Sequence, residues 1–339
     1  MAPASPQPIP SAAERFGTAL HLIPELADVE RVIRATFTSD VSPMRDIPEY
    51  LLSLGGKRIR PALTLLCAKA LGSEKISQEI VTVAAGIELI HMATLMHDDI
   101  IDQSPIRRHK PSPYARFGTP LTLLSGDFLL TRAFGLCAKL DDEIVDATEQ
   151  ACIELVEGEA LETPLHTDNH DLSSSLTIAR RKTASLFRLA AFCASQITGA
   201  PSVTVAHMCE FGESLGTAFQ IIDDILDVTS NEATLGKRPG LDIAERKPSI
   251  VNLLWLASGD PAAQRLRTPP SPDESEYVKH SLEHLRVSSV MTEAKALASR
   301  HAERAASALH AALNSSTTHN QQATEGLFAV LDFALDRMR

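Results

Sequence analysis

The sequence predicts an all-α protein, a single-domain bundle of roughly ten or more long helices. Proline is absent from long stretches such as 121–163, 202–238 and 273–339, and a proline inside a helix costs about 3 kcal/mol. Within these stretches apolar residues recur three and four positions apart, which is the period of a helix. Aromatic residues make up only 4% of the chain, which disfavours a β-sandwich or a β-barrel.

Composition and proline positions also predict the amino-terminal tail and the connections between helices. Residues 1–15 are rich in Pro, Ala and Ser and lack the features of a signal peptide, so we expect a disordered tail before a helical domain at 16–339. Proline clusters at 105–120 and 269–272 predict surface connections. The apolar stretch 81–96 is too short to cross a bilayer, so no transmembrane segment is expected.

Charge and cysteine content limit the possible partners and the compartment. The 32 basic and 43 acidic residues give a net charge of −11, which disfavours a general nucleic-acid or anionic-membrane binder. Any polyanionic ligand must therefore be small and held by a local basic cluster. The five cysteines are scattered in apolar helical stretches, which predicts reduced core residues and a cytoplasmic protein.

Two aspartate motifs with the same spacing carry the strongest chemical signal. Each follows an apolar helical run, and they comprise Asp98, Asp99 and Asp102, then Asp223, Asp224 and Asp227. Residues four apart share a helix face, so the first and last aspartate of each motif project together. One such motif alone is typical of a solvated helix end. The pair instead predicts facing carboxylates around Mg²⁺, with phosphate supplying the remaining ligands.

Basic residues near these motifs would provide the cations that diphosphates need. They are Lys57, Arg58 and Arg60 in GGKRIRP, Arg107 and Arg108, Lys182, Lys237 and Lys247. Each alone is an ordinary surface cation, but together they predict two diphosphate pockets. With an apolar lining and no dedicated protein base, this set favours ionisation of an apolar diphosphate over hydrolysis.

Together with LSGDFLLTRAF, EGE at 157–159 and KTASLF, these motifs resemble the trans-isoprenyl diphosphate synthases, or polyprenyl synthetases, over about residues 45–255. The resemblance implies an isoprenoid synthase-type bundle with a central active-site cavity between the two acidic helices, usually in a homodimer. It also implies a Mg²⁺-dependent head-to-tail condensation of isopentenyl diphosphate with an allylic diphosphate, giving a longer all-trans prenyl diphosphate. Three Mg²⁺ ions are usual in the family.

The resemblance also implies roles for individual residues. Isopentenyl diphosphate would be held by Lys57, Arg60, His91 and Arg108. The allylic diphosphate would be held by Arg107, Lys182, Thr183, Gln220, Lys237 and Lys247. Direct Mg²⁺ ligands would be Asp98, Asp102 and Asp223, supported by Asp99, Asp224 and Asp227. Asp98, Asp102, Lys182, Gln220 and Asp223 form the implied catalytic set, and the departing diphosphate itself is the implied base.

Product length depends in this family on side chains just before the first aspartate motif. The fifth and fourth residues before Asp98 are Ala93 and Thr94, and both are small, so the tunnel is not blocked there. An ideal helical wheel places Thr94 near the Asp98 stripe and Ala93 to the side. The stretch IHMATLMHDDIID most resembles the longer-chain synthases, so we expect a product beyond farnesyl diphosphate, with a tunnel floor formed deeper, for example by 143–156. Geranylgeranyl and farnesyl diphosphate synthases are the alternatives.

Other activities are less consistent with the motifs. The adjacent His97-Asp98 pair is similar to that of metal phosphohydrolases, but this reading leaves the second aspartate motif without a role. A terpene cyclase shares one aspartate motif only, and a non-catalytic synthase subunit would tend to lose ligands that this chain keeps.

A few features depart from the family or suggest metal sites that we disfavour. His109, Phe117-Gly118 and the proline-rich segment 256–276 depart from the usual pattern. The stripe of Glu276, His280 and His284 is more typical of a solvated helix than of a metal site. HTDNHD at 166–171 is more typical of a helix-capping loop.

Overall fold

The computed structural model describes residues 11–231 and 238–338, and most of these residues are helical, which confirms the all-α prediction. Within those residues the strands are β1 (Ile106–Arg107) and β2 (Lys110–Pro111), which pair antiparallel in one short loop. The first helix begins at Ala12, before the predicted domain start at residue 16. A capping box between Ser11 and Glu14 explains this early start.

The first half of the bundle runs from the amino terminus to the helix that precedes the capping loop. Its helices are α1 (Ala12–His21), α2 (Leu26–Thr36), α3 (Ser42–Ser53), α4 (Ile59–Ala70), α5 (Gln78–Ile101), α6 (Pro113–Phe117), α7 (Thr119–Cys137) and α8 (Asp142–Leu161).

The second half contains the other aspartate motif and the carboxyl-terminal helices. It comprises α9 (Leu172–Ile178), a π-helical turn (Ala179–Ala184), α10 (Ser185–Ile197), α11 (Ser202–Thr229), α12 (Leu241–Ala244), α13 (Ile250–Ala257), a 3-10 helix (Pro261–Arg267), α14 (Ser275–Arg286), α15 (Ser289–Ser315) and α16 (Gln321–Asp336).

The two helices that carry the aspartate motifs are central to the bundle. Helix α5 packs against α2, α4, α7 and α10, and α11 packs against α10 and α15. By length and composition α5 could cross a membrane, because it extends beyond the apolar stretch 81–96 at both ends. However, 72% of its most apolar window is buried inside the protein. Its apolar composition is therefore accounted for by its place in the core.

A π-helical turn between α9 and α10 lies against both α8 and α11. A Cβ on Gly158 of α8 would lie 2.4 Å from the backbone nitrogen of Lys182, and a Cβ on Gly216 of α11 would lie 2.5 Å from Cα of Ala184. Only glycine permits these approaches, and they bring α8, α11 and the turn together around Lys182. π-Helical turns occur frequently at functional sites.

The cysteines agree in part with the prediction of reduced core residues. All five are free thiols, but only Cys67, Cys137 and Cys193 are buried, and Cys152 and Cys209 are partly exposed. In the loop 166–171, the side chain of Asp171 caps α9 through the backbone nitrogen of Ser174.

Candidate active site

A cavity with two contiguous parts lies beside α5: the polar part lies between α5 and α11, which carry the aspartate motifs, and the apolar part lies on the α7 and α8 side of α5. The polar part has a volume of about 850 Å³ and the apolar part about 1060 Å³. Thr94, Asp98, Asp102, Leu155 and Lys247 line both parts, so the first aspartate motif lies at their junction. One cavity therefore combines a charged chamber with an apolar arm.

Most of the predicted site residues converge on the polar chamber. Its walls include Lys57, Arg60, His91, Thr94, Asp98, Asp102, Arg107, Arg108, Lys182, Thr183, Gln220, Asp223, Asp224 and Lys247. Lys237 lies outside the described residues. Among the described ones, Ala93, Asp99 and Asp227 are not part of the walls.

The three aspartates of the first motif differ in environment. Burial raises the pKa of Asp98 to about 7, against the opposing charge of Lys182. Asp99 has no exposed surface, and its carboxylate accepts hydrogen bonds from Arg107 at 2.8–3.1 Å. Asp102 ends α5 and accepts a hydrogen bond from Nζ of Lys247 at 3.0 Å. Asp98 and Asp102 thus reach the chamber, while Asp99 holds Arg107.

The second motif is divided between the chamber and the loop after α11. Oδ1 of Asp223 lies 2.9 Å from Nη2 of Arg337. Asp224 is buried and accepts hydrogen bonds from Nε2 of Gln220 at 2.9 Å and from the Ile250 nitrogen at 2.8 Å.

Asp227 is the aspartate of this motif that turns towards the loop. It accepts from the backbone nitrogens of Leu241 and Asp242 at 3.3 and 3.2 Å. Helical spacing placed Asp227 with Asp223, but the chain that returns after α11 covers Asp227. Its contacts fix the start of α12, and Asp227 itself does not line the cavity.

Cations surround one buried carboxylate at the α4 end of the chamber. Arg58 Nη1 donates to Oε1 of Glu88 at 3.2 Å, and both side chains are at least nine-tenths buried. Burial lowers the pKa of Arg60, although Glu88 opposes this effect. Burial and the nearby arginines hold the pKa of His91 well below its usual range, so its imidazole is neutral at pH 7. This end of the chamber is built to receive an anion.

Lys182 and Lys247 lie at the other end of the chamber, where acidic residues surround them. Lys182 Nζ lies 2.6 Å from Oε2 of Glu162 and 2.7 Å from Oε2 of Glu159. Burial lowers the pKa of Lys182, but these carboxylates and Asp98 raise it by more, so the net shift is upward. The pKa of Lys247 is also raised, because Glu162 and Asp102 outweigh its burial. Both lysines are therefore charged at neutral pH.

Several residues of the chamber were not identified from the sequence. Glu88 and Glu162 line it, and so does Arg337, which follows α16 and stacks over Phe219 with 5.0 Å to the ring centroid. Acids within apolar helices, such as Glu88, are a signal that could have been used. Arg337 gave no such signal, because only the return of the carboxyl terminus brings it to Asp223.

The carboxylates of the chamber fit a divalent metal whose coordination is completed by a ligand. In the described part of the chain no three His, Cys, Asp or Glu side chains form a preformed metal cluster. Asp98 and Asp102 from α5, and Asp223 from α11, nevertheless line the same chamber. Mg²⁺ is commonly held by one or two carboxylates together with substrate phosphates, so this arrangement suits it.

The apolar arm extends from the first aspartate motif between α5, α7 and α8. Its lining includes Ile90 and Thr94 of α5, Leu130 and Phe134 of α7, and Cys152, Ile153, Leu155 and Val156 of α8. Thr94 faces the arm, as the helical wheel indicated. Ala93 is fully buried in the core and does not line it.

His97 of the His97-Asp98 pair, which is similar to that of metal phosphohydrolases, contacts other residues in the structure. Nε2 of His97 lies 3.3 Å from the Leu123 carbonyl and 3.5 Å from Oδ1 of Asp127 on α7. His97 therefore contacts α7, which gives no support to a two-residue metal motif formed with Asp98.

A helical bundle in which two aspartate motifs contribute to one basic chamber beside an apolar arm is typical of the class of proteins that act on apolar diphosphates. The Polyprenyl synthetase family model matches residues 41–285. An octaprenyl diphosphate synthase of Escherichia coli is 38% identical over 248 residues, which is 72% of this chain and 76% of that protein. A nonaprenyl diphosphate synthase of Mycobacterium tuberculosis is 34% identical over 284 residues, or 83% and 84% of the two chains.

A solved structure supports the same conclusion. The polyprenyl synthase of Caulobacter crescentus, crystallised with calcium and isoprenyl diphosphate, superposes with a TM-score of 0.87 and 30% identity, covering 98% of this chain and 100% of that one. The chain belongs to the polyprenyl synthetase family, which confirms the resemblance drawn from its motifs.

Proposed function

We propose that this chain condenses isopentenyl diphosphate with an allylic diphosphate, head to tail, to give a longer all-trans prenyl diphosphate. The observation that carries the proposal is the single cavity in which the basic chamber meets the apolar arm at Asp98 and Asp102. Two anionic head groups would fit the chamber, and a growing hydrocarbon would fit the arm.

Each end of the chamber suits one substrate. Isopentenyl diphosphate would bind Lys57, Arg60, His91 and Arg108, beside the buried Glu88. The allylic diphosphate would bind Arg107, Lys182, Thr183, Gln220 and Lys247, with Lys237 as a further proposed contact. Mg²⁺ held by Asp98, Asp102 and Asp223, in the number of three usual for the family, would neutralise the diphosphate and make it a better leaving group.

The protein's own part in the reaction is to orient the two substrates and to exclude water from the cavity. The allylic C1–O bond breaks and its electron pair leaves with the diphosphate, held by the lysines. The isopentenyl double bond then forms the new C–C bond to C1, and a proton is lost from C2 to the departed diphosphate. The apolar wall at Thr94 and Leu155 would keep water from the allylic cation.

A product longer than farnesyl diphosphate is consistent with the small Thr94 at the entrance of the arm. The names of the octaprenyl and nonaprenyl synthases among the relatives favour the same length class. We also propose that the enzyme is cytoplasmic and homodimeric, with one domain that covers the predicted 16–339 and also includes the start of α1 at Ala12. Leu121, Leu124 and Phe134 of α7 are exposed apolar residues that a second copy would cover.

The test is to incubate the chain with labelled isopentenyl diphosphate, Mg²⁺ and geranyl, farnesyl or geranylgeranyl diphosphate in turn, and to identify the extracted product by chromatography. We expect at least one primer to be extended. Release of phosphate without any extended product would instead support a phosphohydrolase.

The same assay tests the role of the first motif. Asp98→Ala is expected to reduce turnover by at least about 10³-fold while leaving the fold intact, because charge stabilisation at the diphosphate carries the reaction. Asp127→Ala, an exposed aspartate on α7, is the matched control. Near-normal turnover of Asp98→Ala would contradict the proposed role.

A further inference from the structure

Arg246 is an arginine with no exposed surface, and it lines neither the chamber nor the apolar arm. Its Nη1 donates to the carbonyl of Ile243 at 2.7 Å, and its Nε donates to the carbonyl of Thr268 at 3.1 Å. Its Nη2 lies 3.1 Å from Oε2 of Glu274. A buried guanidinium is costly without such partners, so these contacts are what keep it there.

The backbone of Arg246 is also unusual, because its φ is +61°. This left-handed conformation costs roughly 1 kcal/mol or more for a residue other than glycine. The carbonyl of Arg246 accepts a hydrogen bond from the nitrogen of Leu165 at 2.7 Å, which ties it to the segment after α8. A strained residue is held in place by contacts from several segments.

The next residue, Lys247, depends on the same turn. Its backbone nitrogen donates to the Asp242 carbonyl at 2.9 Å, and its carbonyl accepts from Nδ2 of the buried Asn252 at 2.9 Å. Its Nζ reaches across the cavity to Asp102 at 3.0 Å. A shift of Arg246 would therefore move the cation that contacts the first aspartate motif.

The partner Glu274 lies in the segment 256–276, which departs from the family pattern. Its carboxylate accepts hydrogen bonds from the nitrogen and Oγ of Ser271, both at 2.6 Å. Burial raises the pKa of Glu274, but these bonds and the Arg246 guanidinium outweigh burial and lower it to about 2. Arg265 also contacts Glu274 at 3.3 Å, but its side chain is 45% exposed.

We propose that Arg246 is a positioning residue that fixes Lys247 over the allylic diphosphate site by tying the turn 241–247 to the segment that contains Glu274. The inference rests on the proposed function, since Lys247 is assigned there to the allylic diphosphate. Arg246 itself does not contact the substrate site, and it acts through the backbone of the adjacent lysine.

The first variant to test is Arg246→Gly, because glycine adopts the observed φ without strain while the guanidinium is lost. We expect KM for the allylic diphosphate to rise about tenfold, because small displacements of a positioning group have effects of this size or larger. KM for isopentenyl diphosphate should change less than twofold, since Lys57 and Arg60 belong to another wall. Arg265→Ala, which removes the exposed partner of Glu274, should leave both constants within twofold.

Two further variants separate positioning from simple stabilisation. Arg246→Lys should recover part of the affinity for the allylic diphosphate, because it restores the charge opposite Glu274. Glu274→Gln should raise the same KM, and combining it with Arg246→Gly should add nothing further. A fall in melting temperature without a selective rise in this KM would overturn the proposal, as would an equal effect of Arg265→Ala. If Arg246→Gly fails to fold, Arg246→Lys and Glu274→Gln provide the same comparison.

Binding of inorganic diphosphate separates this inference from the proposed function. Calorimetry with diphosphate and Mg²⁺ should show weaker binding to Arg246→Gly than to the unmodified chain, whether or not prenyl products form. Failure of the unmodified chain to extend any primer would remove the proposed function. Equal affinities of the two proteins for diphosphate would overturn the role of Arg246.

Discussion

At the scale of single residues, the site is organised by buried charges that each have a specific partner. Asp99 holds Arg107, and Glu88 holds Arg58. Glu88 is part of the chamber wall and Asp99 lies behind it, and both fix arginines that surround the chamber. A buried pair adds little net stability compared with apolar residues, yet loss of one partner is costly.

The pair of Arg58 and Glu88 leads to a stability prediction. Glu88→Gln should lower the free energy of unfolding by about 3 kcal/mol, because the buried guanidinium of Arg58 would lose its buried carboxylate partner and keep only the more exposed Glu30. It should also raise KM for isopentenyl diphosphate, since the arginines at that end would repel one another. Urea unfolding and steady-state kinetics measure the two effects.

The matched control is Glu30→Gln, which removes the more exposed partner of Arg58. That change should cost less than about 1 kcal/mol. Equal losses in the free energy of unfolding from the two variants would show that the buried pair with Glu88 contributes no more to stability than the exposed pair with Glu30.

The lowered pKa of Glu274 predicts how stability depends on pH. Its pKa is about 2 in the folded chain, against an ordinary value of 4.5. A depressed pKa means that the stabilisation is fully present above pH 4.5 and is lost as the pH falls towards 2. Urea unfolding of the unmodified chain and of Glu274→Gln should therefore converge over this window. A constant difference down to pH 2.5 would contradict the prediction.

At the scale of elements, the faces of α5 determine what each position does. Thr94 lines the apolar arm, whereas Ala93 lies one position away and is fully buried in the core. Adjacent residues on a helix point about 100° apart, so only one of them can face a given cavity. The π-helical turn has a similar effect, since it carries Lys182 and Thr183 into the chamber.

These faces predict different results for two neighbouring substitutions. Thr94→Phe should shorten the product, because the added ring would enter the arm. Ala93→Phe should instead lower the free energy of unfolding by about 1–3 kcal/mol, because it overpacks the core. Chromatography of the dephosphorylated products and urea unfolding distinguish the two. A shorter product from Ala93→Phe without loss of stability would show that the arm lies on the other face.

At the scale of the whole molecule, an apolar surface remains on the outside of the bundle. It lies on α7 and α8, and its exposed residues include Leu121, Leu123, Leu124, Phe134, Ile153 and Val156. Phe134, Ile153 and Val156 also line the apolar arm, so the arm opens near this surface. A second copy over this surface would both bury it and close the arm.

The proposed homodimer can be tested on this surface. Leu124→Glu should give a monomer by light scattering, because a charge would be buried at the interface without a partner. Val287→Glu is the control, since Val287 is exposed on the connection between α14 and α15, away from α7. A dimer that survives Leu124→Glu unchanged would place the contact elsewhere.

The fold class, the family and most of the residues that line the chamber could be predicted from the amino-acid sequence. Helical periodicity, long proline-free stretches and the spacing of two aspartate motifs are local properties, and they depend only on the order of residues along the chain. Together with the basic residues and the family resemblance, they led to Lys57, Lys182 and Asp223, which come from the segment before α4, the π-helical turn and α11 but line one chamber.

The folded structure was needed to show which of these residues face the cavity and which stabilise its walls. Asp227 turned to the loop before α12, and Arg337 joined Asp223 from the far end of the chain. Arg246 acquired its role from contacts with Thr268 and Glu274. These contacts join segments distant in sequence, and burial changes the energy of a charge only once the chain has folded around it.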